Sequence, residues 1–211
     1  EFQPLKNLPG VRLIWARSPA ELEGADWIIL PGSKQTSADL GWLRHQGFEP
    51  LLQRHVAADK PLLALCGGLQ MAGVALSDPH GVDGNALGLN LLPLSTEFSA
   101  EKTVRRTNTH FLTLQGPWAK LTGCEVSGYE IHHGQTRAIA DHKIPLIPAL
   151  PNHIGWQQGP VLALYLHGLF ENPSVLRALF GGHVETLDDV FDRLADLVDE
   201  RFDRQTLMGL L

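Results

Sequence analysis

Apolar positions in the first third of the chain fall into short blocks separated by turn residues. Residues 11–15 (Val-Arg-Leu-Ile-Trp) read as a short strand, and residues 26–30 as a second one that stops at Pro31-Gly32-Ser33. From residue 40 the spacing becomes helical. Leu43, Phe48, Leu51, Leu52 and Val56 share one face, which predicts a helix over residues 40–57. Leu62-Leu63-Ala64-Leu65 is a third strand, and it ends abruptly on Cys66. This strand–helix–strand rhythm predicts an α/β fold with a mostly parallel central sheet. In such sheets functional groups gather at the carboxyl ends of strands, where Gly32 and Cys66 both sit.

The pattern weakens in the middle. Residues 80–118 are rich in Gly, Pro and Thr, with short strand-like pieces such as residues 109–114. Residues 128–134 (Gly-Tyr-Glu-Ile-His-His-Gly) read as another short strand, and residues 161–166 as a buried one running into His167-Gly168. From Thr186 the chain reads as helix. Thr186 suits the N-cap, and Asp188 and Asp189 suit the first turn. Leu187, Val190, Phe191, Leu194, Leu197 and Val198 then make one apolar stripe. No repeat, low-complexity tract or linker interrupts the chain, so residues 1–211 read as one domain.

Composition narrows the function classes. With 44% hydrophobic and 19% charged residues, the 211-residue chain has an ordinary globular balance. Its net charge is −6, and residues 102–106 carry only three basic groups, which excludes a nucleic-acid footprint. That segment reads as a solvated basic strand. No apolar run approaches the roughly 18 residues of a membrane span. The two cysteines, Cys66 and Cys124, form no CxxC pair. With no secretory signal either, a reducing, cytoplasmic setting without disulfides is expected. His132 and His133 are adjacent and would face opposite sides of a strand, so no metal site is expected there.

Cys66 is the residue to explain. A strand that delivers a side chain to a tight turn, with a helix starting directly behind it, is a nucleophile elbow. A thiol there faces the N-terminus of the helix, whose free N–H groups and dipole favour thiolate. Most free cysteines are simply buried structural residues. Gly67-Gly68 and the following helical stretch set this one apart, because they let a ligand approach the backbone closely. The N–H of Gly67 would then point at an oxyanion formed on an attacked carbonyl. His167 also ends a buried strand. Two strand ends on one sheet edge bring a thiol and an imidazole together, and the imidazole takes the thiol proton and returns it to a leaving amine. The turn Pro31-Gly32-Ser33-Lys34 is either a plain strand-to-helix connection or the source of a second oxyanion N–H at Gly32. It is too short for a phosphate loop, and no GKS/T element occurs. Glu130, His132 and His133 fit an exposed edge strand as well as a binding role.

The ordered set of motifs resembles the glutamine amidotransferase domain of the cobyric acid synthase family, a class I (triad-type) amidotransferase. It comprises Leu30-Pro31-Gly32-Ser33-Lys34-Gln35-Thr36, Cys66-Gly67-Gly68-Leu69-Gln70-Met71, and Asp78-Pro79-His80-Gly81-Val82-Asp83-Gly84. Residues 88–92 follow with Thr96 and Lys102-Thr103, then Gly128-Tyr129-Glu130-Ile131-His132 and residues 165–172, Tyr165 to Asn172. The resemblance implies a flavodoxin-like fold with helices on both faces of the sheet. It implies Cys66 as nucleophile, His167 as general base and acid, and Gly32 and Gly67 as oxyanion donors. Gln70, Glu130 and His132 are implied to bind substrate L-glutamine, with no cofactor or metal in this domain.

The resemblance further implies a synthetase half, absent from this chain, in which ATP and Mg²⁺ activate peripheral carboxylates of adenosylcobyrinic acid a,c-diamide for amidation to cobyric acid. Class I triads place a glutamate two residues after the histidine, where this chain has Leu169. A Cys–His dyad is therefore implied, with the imidazole tautomer fixed by another group. Glu171 is near but matches no triad position. Ala64 stands where a glycine often precedes the cysteine by two. Two other functions compete: an amidotransferase subunit of a peptidoglycan-lipid amidating complex, and a catalytically silent domain that docks a synthetase. A neighbouring ligase gene separates the first, and intact Cys66 and His167 argue against the second.

Overall fold

The computed structural model describes residues 1–139, 145–181 and 187–201. After a single helical turn, α1 (Gln3–Lys6), the chain forms β1 (Ile28–Leu30), α2 (Thr36–His45), α3 (Phe48–Ala57), β2 (Leu62–Leu65) and α4 (Gly67–Ala72). Two short strands, β3 (Ala75–Ser77) and β4 (Ala86–Leu87), lead to a long hairpin of β5 (Leu94–His110) and β6 (Glu125–Ala138). Then come β7 (Ile147–Leu150), β8 (Gly155–Gln158), β9 (Val161–Leu164), β10 (Leu166–His167), α5 (Pro173–Phe180) and α6 (Leu187–Arg201).

These strands make two five-stranded sheets, ordered β1-β2-β9-β8-β7 and β10-β6-β5-β3-β4. In the first, β1, β2 and β9 are parallel, and β8 and β7 complete the sheet in antiparallel fashion. In the second, only β3 and β5 are parallel. The α/β class holds, with parallel pairing in the first sheet confined to the three strands that carry the elbow. Strands β2 and β9 are buried at every position, which is why neither sequence alternates. One apolar cluster joins both sheets, with Leu63 and Leu162 from the first and Phe98 and Val126 from the second. Trp118 lies fully buried in it and satisfies its indole N–H on the Pro160 carbonyl at 2.7 Å.

Several expectations are corrected. Residues 11–15 form no strand: the segment carries no ladder hydrogen bonds, and Ile14 and Trp15 remain 42% and 61% exposed. The helix expected over residues 40–57 is two helices, because the chain turns left-handed at Gly47 (φ +81°) between α2 and α3. Of the piece expected near residues 109–114 only 109 and 110 are strand, the last two of the 17-residue β5, whereas residues 128–134 lie within the 14-residue β6. The strand expected over 161–166 breaks at Tyr165: β9 belongs to the first sheet and β10 to the second. In α6, Phe191, Leu194 and Leu197 of the expected stripe are about half exposed, at 57%, 53% and 48%. Thr186, expected as its cap, lies outside the described residues.

Candidate active site

The elbow is strained as its sequence suggests. Cys66 adopts φ +49°, ψ −103°, a region costly for a side chain with a Cβ. Its N–H donates to Leu164 O at 2.7 Å, and its carbonyl accepts from Gln70 N–H at 3.1 Å, so β9 and α4 hold the turn from both sides. The thiol reaches the Ile131 carbonyl of β6 at 3.5 Å. Gly67 opens α4, so its N–H has no partner within the helix. A Cβ on Gly67 would lie 2.6 Å from Ser33 N, which shows how tightly the elbow presses on the turn after β1.

That turn also touches His167. A Cβ on Gly32 would lie 2.8 Å from His167 Cε1. His167 in turn hydrogen-bonds with Cys66. The structure therefore gathers Gly32, Gly67, Cys66 and His167 at one place, although they come from three separate stretches of sequence. Hydrogen bonds to Cys66 and to the carboxylate of Glu1 push the His167 imidazole up to about 10, against the opposing effect of burial. The His167 imidazole therefore holds its proton at neutral pH. Asn172 ties the turn that follows His167 to β6. Its amide donates to the carbonyls of Gly168 at 2.9 Å, Leu169 at 3.1 Å and Ser127 at 2.9 Å, and accepts from Ser127 N–H at 2.8 Å.

Gln70 lies one turn behind the elbow, 3% exposed. Its Oε1 accepts from the Thr36 hydroxyl at 3.0 Å, and its Nε2 donates to Tyr165 Oη at 3.3 Å. Burial pushes the Tyr165 phenol up to about 12, so it stays protonated while it shares a hydrogen bond with Thr136 at 2.5 Å. Thr36 is itself fixed by the Asp78–Gly84 motif. Asp83 accepts from the N–H groups of Thr36 and Ser37, both at 2.7 Å, and Asp78 accepts from Asp83 N–H at 2.7 Å and Val82 N–H at 3.0 Å. These bonds, that from Val82 first, hold the Asp78 carboxyl below the usual range. The motif therefore caps α2 and anchors the turn that carries Gly32. Asp83→Ala is expected to lower unfolding free energy by about 1 kcal/mol, read as a lower urea midpoint at unchanged slope. An unchanged midpoint would show that water caps α2 as well as Asp83 does.

Glu130 and His132 are not on an exposed edge; their residues are 1% and 9% exposed. Glu130 accepts two bonds from Arg105, at 2.8 and 2.9 Å, and one from the Thr107 hydroxyl. Burial alone would raise its carboxyl, but these donors outweigh it and hold the group low. The side chain of Arg105 is itself 55% exposed, so it remains a solvated cation as expected while also pairing with a buried carboxylate. Burial lowers His132, which meets the Gly134 carbonyl through Nδ1 at 2.8 Å and stacks on Tyr165 with ring centroids 3.8 Å apart. Both side chains line a cleft of about 640 Å³ that neither Cys66 nor His167 lines. The structure thus brings Gln70 into contact with the elbow and sets Glu130 and His132 along a neighbouring cleft.

Sequence reasoning alone did not single out Glu1, Thr36, Asp83, Tyr165 or Asn172 individually. Four of these lie inside motifs already quoted; Glu1 carried no signal beyond a lone acid before Phe2.

The CobB/CobQ-like glutamine amidotransferase domain family matches residues 1–175. Cobyric acid synthase of Variovorax paradoxus (strain S110) is 56% identical over 213 residues, covering 100% of this chain and 44% of the relative. The cobyric acid synthase of Paracidovorax citrulli (strain AAC00-1) is 59% identical over 211 residues, covering 96% of this chain and 42% of the relative. The chain thus spans less than half the length of these curated relatives. A crystal structure of a glutamine amidotransferase shares the fold, with a TM-score of 0.62 at 19% identity over 84% of this chain and 89% of that one.

Proposed function

Because the chain belongs to the CobB/CobQ-like glutamine amidotransferase domain family, we propose that it hydrolyses L-glutamine at Cys66 and His167 and supplies the ammonia for amidation of a corrinoid carboxylate. The observation that carries this reading is the Cys66–His167 pair, set on a strained elbow with Gly32 and Gly67 around it. With Nδ1 of His167 engaged by Glu1, Nε2 is the nitrogen left for the thiol.

The steps follow from that placement. The Cys66 sulfur attacks the side-chain carbonyl carbon of glutamine, and the oxygen takes the negative charge. The N–H groups of Gly32 and Gly67 receive it. The imidazolium of His167 gives its proton to the amide nitrogen, the C–N bond breaks, and ammonia leaves a thioester on Cys66. His167, now neutral, takes a proton from water. The hydroxide displaces the sulfur, releasing glutamate and restoring the pair. Ile131, whose carbonyl lies beside the thiol, and Gln70 border the space where the substrate would lie.

In the longer polypeptide that the curated relatives represent, the ammonia would reach a synthetase part. There ATP and Mg²⁺ would supply the activation of peripheral carboxylates of adenosylcobyrinic acid a,c-diamide, so that the ammonia would give cobyric acid, in the cytoplasm. The relatives named cobyric acid synthase support this assignment.

A glutamine-mimicking electrophile tests the hydrolytic step. It should add its mass to Cys66 and leave Cys124 unmodified, as read by peptide mass spectrometry. Cys124 offers a control because it is the more accessible of the two free thiols. Modification of Cys124 with Cys66 untouched would overturn the assignment.

A further inference from the structure

The site lacks an acid where triad-type amidotransferases carry one. Leu169 fills that position, fully buried in a helical turn after β10 (residues 169–171), so no carboxylate from there reaches the imidazole. The acid that does reach it comes from the far end of the sequence. Glu1 Oε1 lies 3.2 Å from His167 Nδ1, and Glu1 Oε2 accepts the Gly168 N–H at 3.0 Å. Both oxygens are engaged, one by the imidazole and one by the backbone beside it. The carboxylate therefore cannot swing away without leaving a donor unpaired on each side.

The segment that delivers Glu1 is itself anchored. Phe2 packs against Phe170 with ring centroids 6.1 Å apart and meets Trp15 edge-on at 5.7 Å. Leu5, one turn further on, is 3% exposed. Glu1 is thus held from its own side by an apolar anchor that rests on the same turn that follows His167. Its side chain is 17% exposed and that of His167 is 26% exposed, so solvent screens the pair only partly.

We propose that Glu1 is the positioning carboxylate of this site, holding the His167 proton on Nδ1 and turning Nε2 toward Cys66. It does from the N-terminal segment what an acid two residues after the histidine does in a triad. The inference rests on the glutaminase reading of Cys66 and His167. The charge on each partner agrees with it. Burial would raise the Glu1 carboxyl, but the bonds from His167 and Gly168 outweigh burial and hold it below the usual range. The same contact favours the imidazolium.

The signs follow. An anion beside Nδ1 stabilises the protonated imidazole, so its removal lowers the pH at which His167 loses its proton. The acid form of His167, needed to expel ammonia, is then lost earlier as pH rises. The full chain carrying Glu1→Ala is compared with Glu1→Asp and with the unsubstituted protein. Glu1→Ala is expected to lower kcat for glutamine hydrolysis about 100-fold or more, with KM changed far less. Its alkaline limb should move to lower pH by about one pH unit or more. Glu1→Asp, which keeps the charge, should recover part of both.

A Glu1→Ala protein with unchanged kcat and an unmoved alkaline limb overturns the proposal while leaving the glutaminase reading intact. If the unsubstituted chain hydrolyses no glutamine, that reading fails instead. The ¹⁵N titration of the His167 ring then decides the role of Glu1: an identical midpoint in Glu1→Ala and the unsubstituted protein overturns it.

Discussion

Cys66→Ala is expected to remove glutamine hydrolysis, with kcat falling by about 10⁴-fold or more. The size follows from what the sulfur alone can do. The N–H groups around it can stabilise an oxyanion, and His167 can move a proton, but neither can form the thioester that divides the reaction into two easier steps. The fold should survive. Cys66 is buried with its backbone held by Leu164 and Gln70, and alanine keeps those bonds and the Cβ. The thermal midpoint is therefore expected to move little. On the proposed function, amidation driven by added ammonia should persist once a synthetase part is supplied, because that route bypasses the elbow. Retention of more than about a hundredth of the hydrolysis would show that another group is the nucleophile. Loss of the ammonia-driven reaction as well would assign Cys66 a structural role.

The variant also bears on His167. Its high affinity for a proton comes first from Cys66 and second from Glu1. Removing the sulfur should lower the titration midpoint of the ring even with Glu1 in place. That shift separates the two sources of stabilisation, because Glu1→Ala leaves the Cys66 contact and Cys66→Ala leaves the carboxylate.

How much of this site the sequence discloses depends on the range of the interactions. Strands β2 and β9 are legible because burial on both faces leaves no room for a polar residue. The elbow is legible for a related reason: an apolar run that stops on Cys66-Gly67-Gly68 has few other local explanations. The break at Gly47 is hidden because the apolar spacing continues through it from Leu43 to Phe48. A periodic pattern does not register one left-handed residue. The β5–β6 hairpin is hidden for the opposite reason. Beyond Phe98 its side chains are mostly exposed, so no alternation marks the strand. Residues 11–15 have a strand's composition, yet a strand exists only where a neighbour completes its ladder, and none of these residues is paired. Glu1 and His167 are 166 positions apart. Nothing in a local pattern can report such a contact, which depends on long-range packing such as that of Phe2 on Phe170.

Gly32→Ala is expected to be the second most damaging change for activity, lowering kcat by about 100- to 1000-fold. Its added methyl would sit 2.8 Å from His167 Cε1, inside van der Waals contact. The imidazole edge is the part that can yield. Yielding tilts the ring away from Cys66 and loosens its bond to Glu1, so one methyl disturbs the proton carrier and crowds the oxyanion space together. Stability should fall only modestly, because the obstacle is a side chain with 26% of its surface in solvent. Gly67→Ala makes the contrast. There the methyl meets Ser33 N at 2.6 Å and Ser33 Cα at 3.1 Å, which are backbone atoms of the turn after β1. Backbone cannot swing aside as a ring can, so the strain falls on the fold, and the urea midpoint should drop more than for Gly32→Ala. The two variants should therefore rank oppositely in the ratio of lost turnover to lost stability. If Gly32→Ala kept full turnover, His167 would have to move without consequence, and the close approach of that turn to the imidazole could not be part of the catalytic geometry.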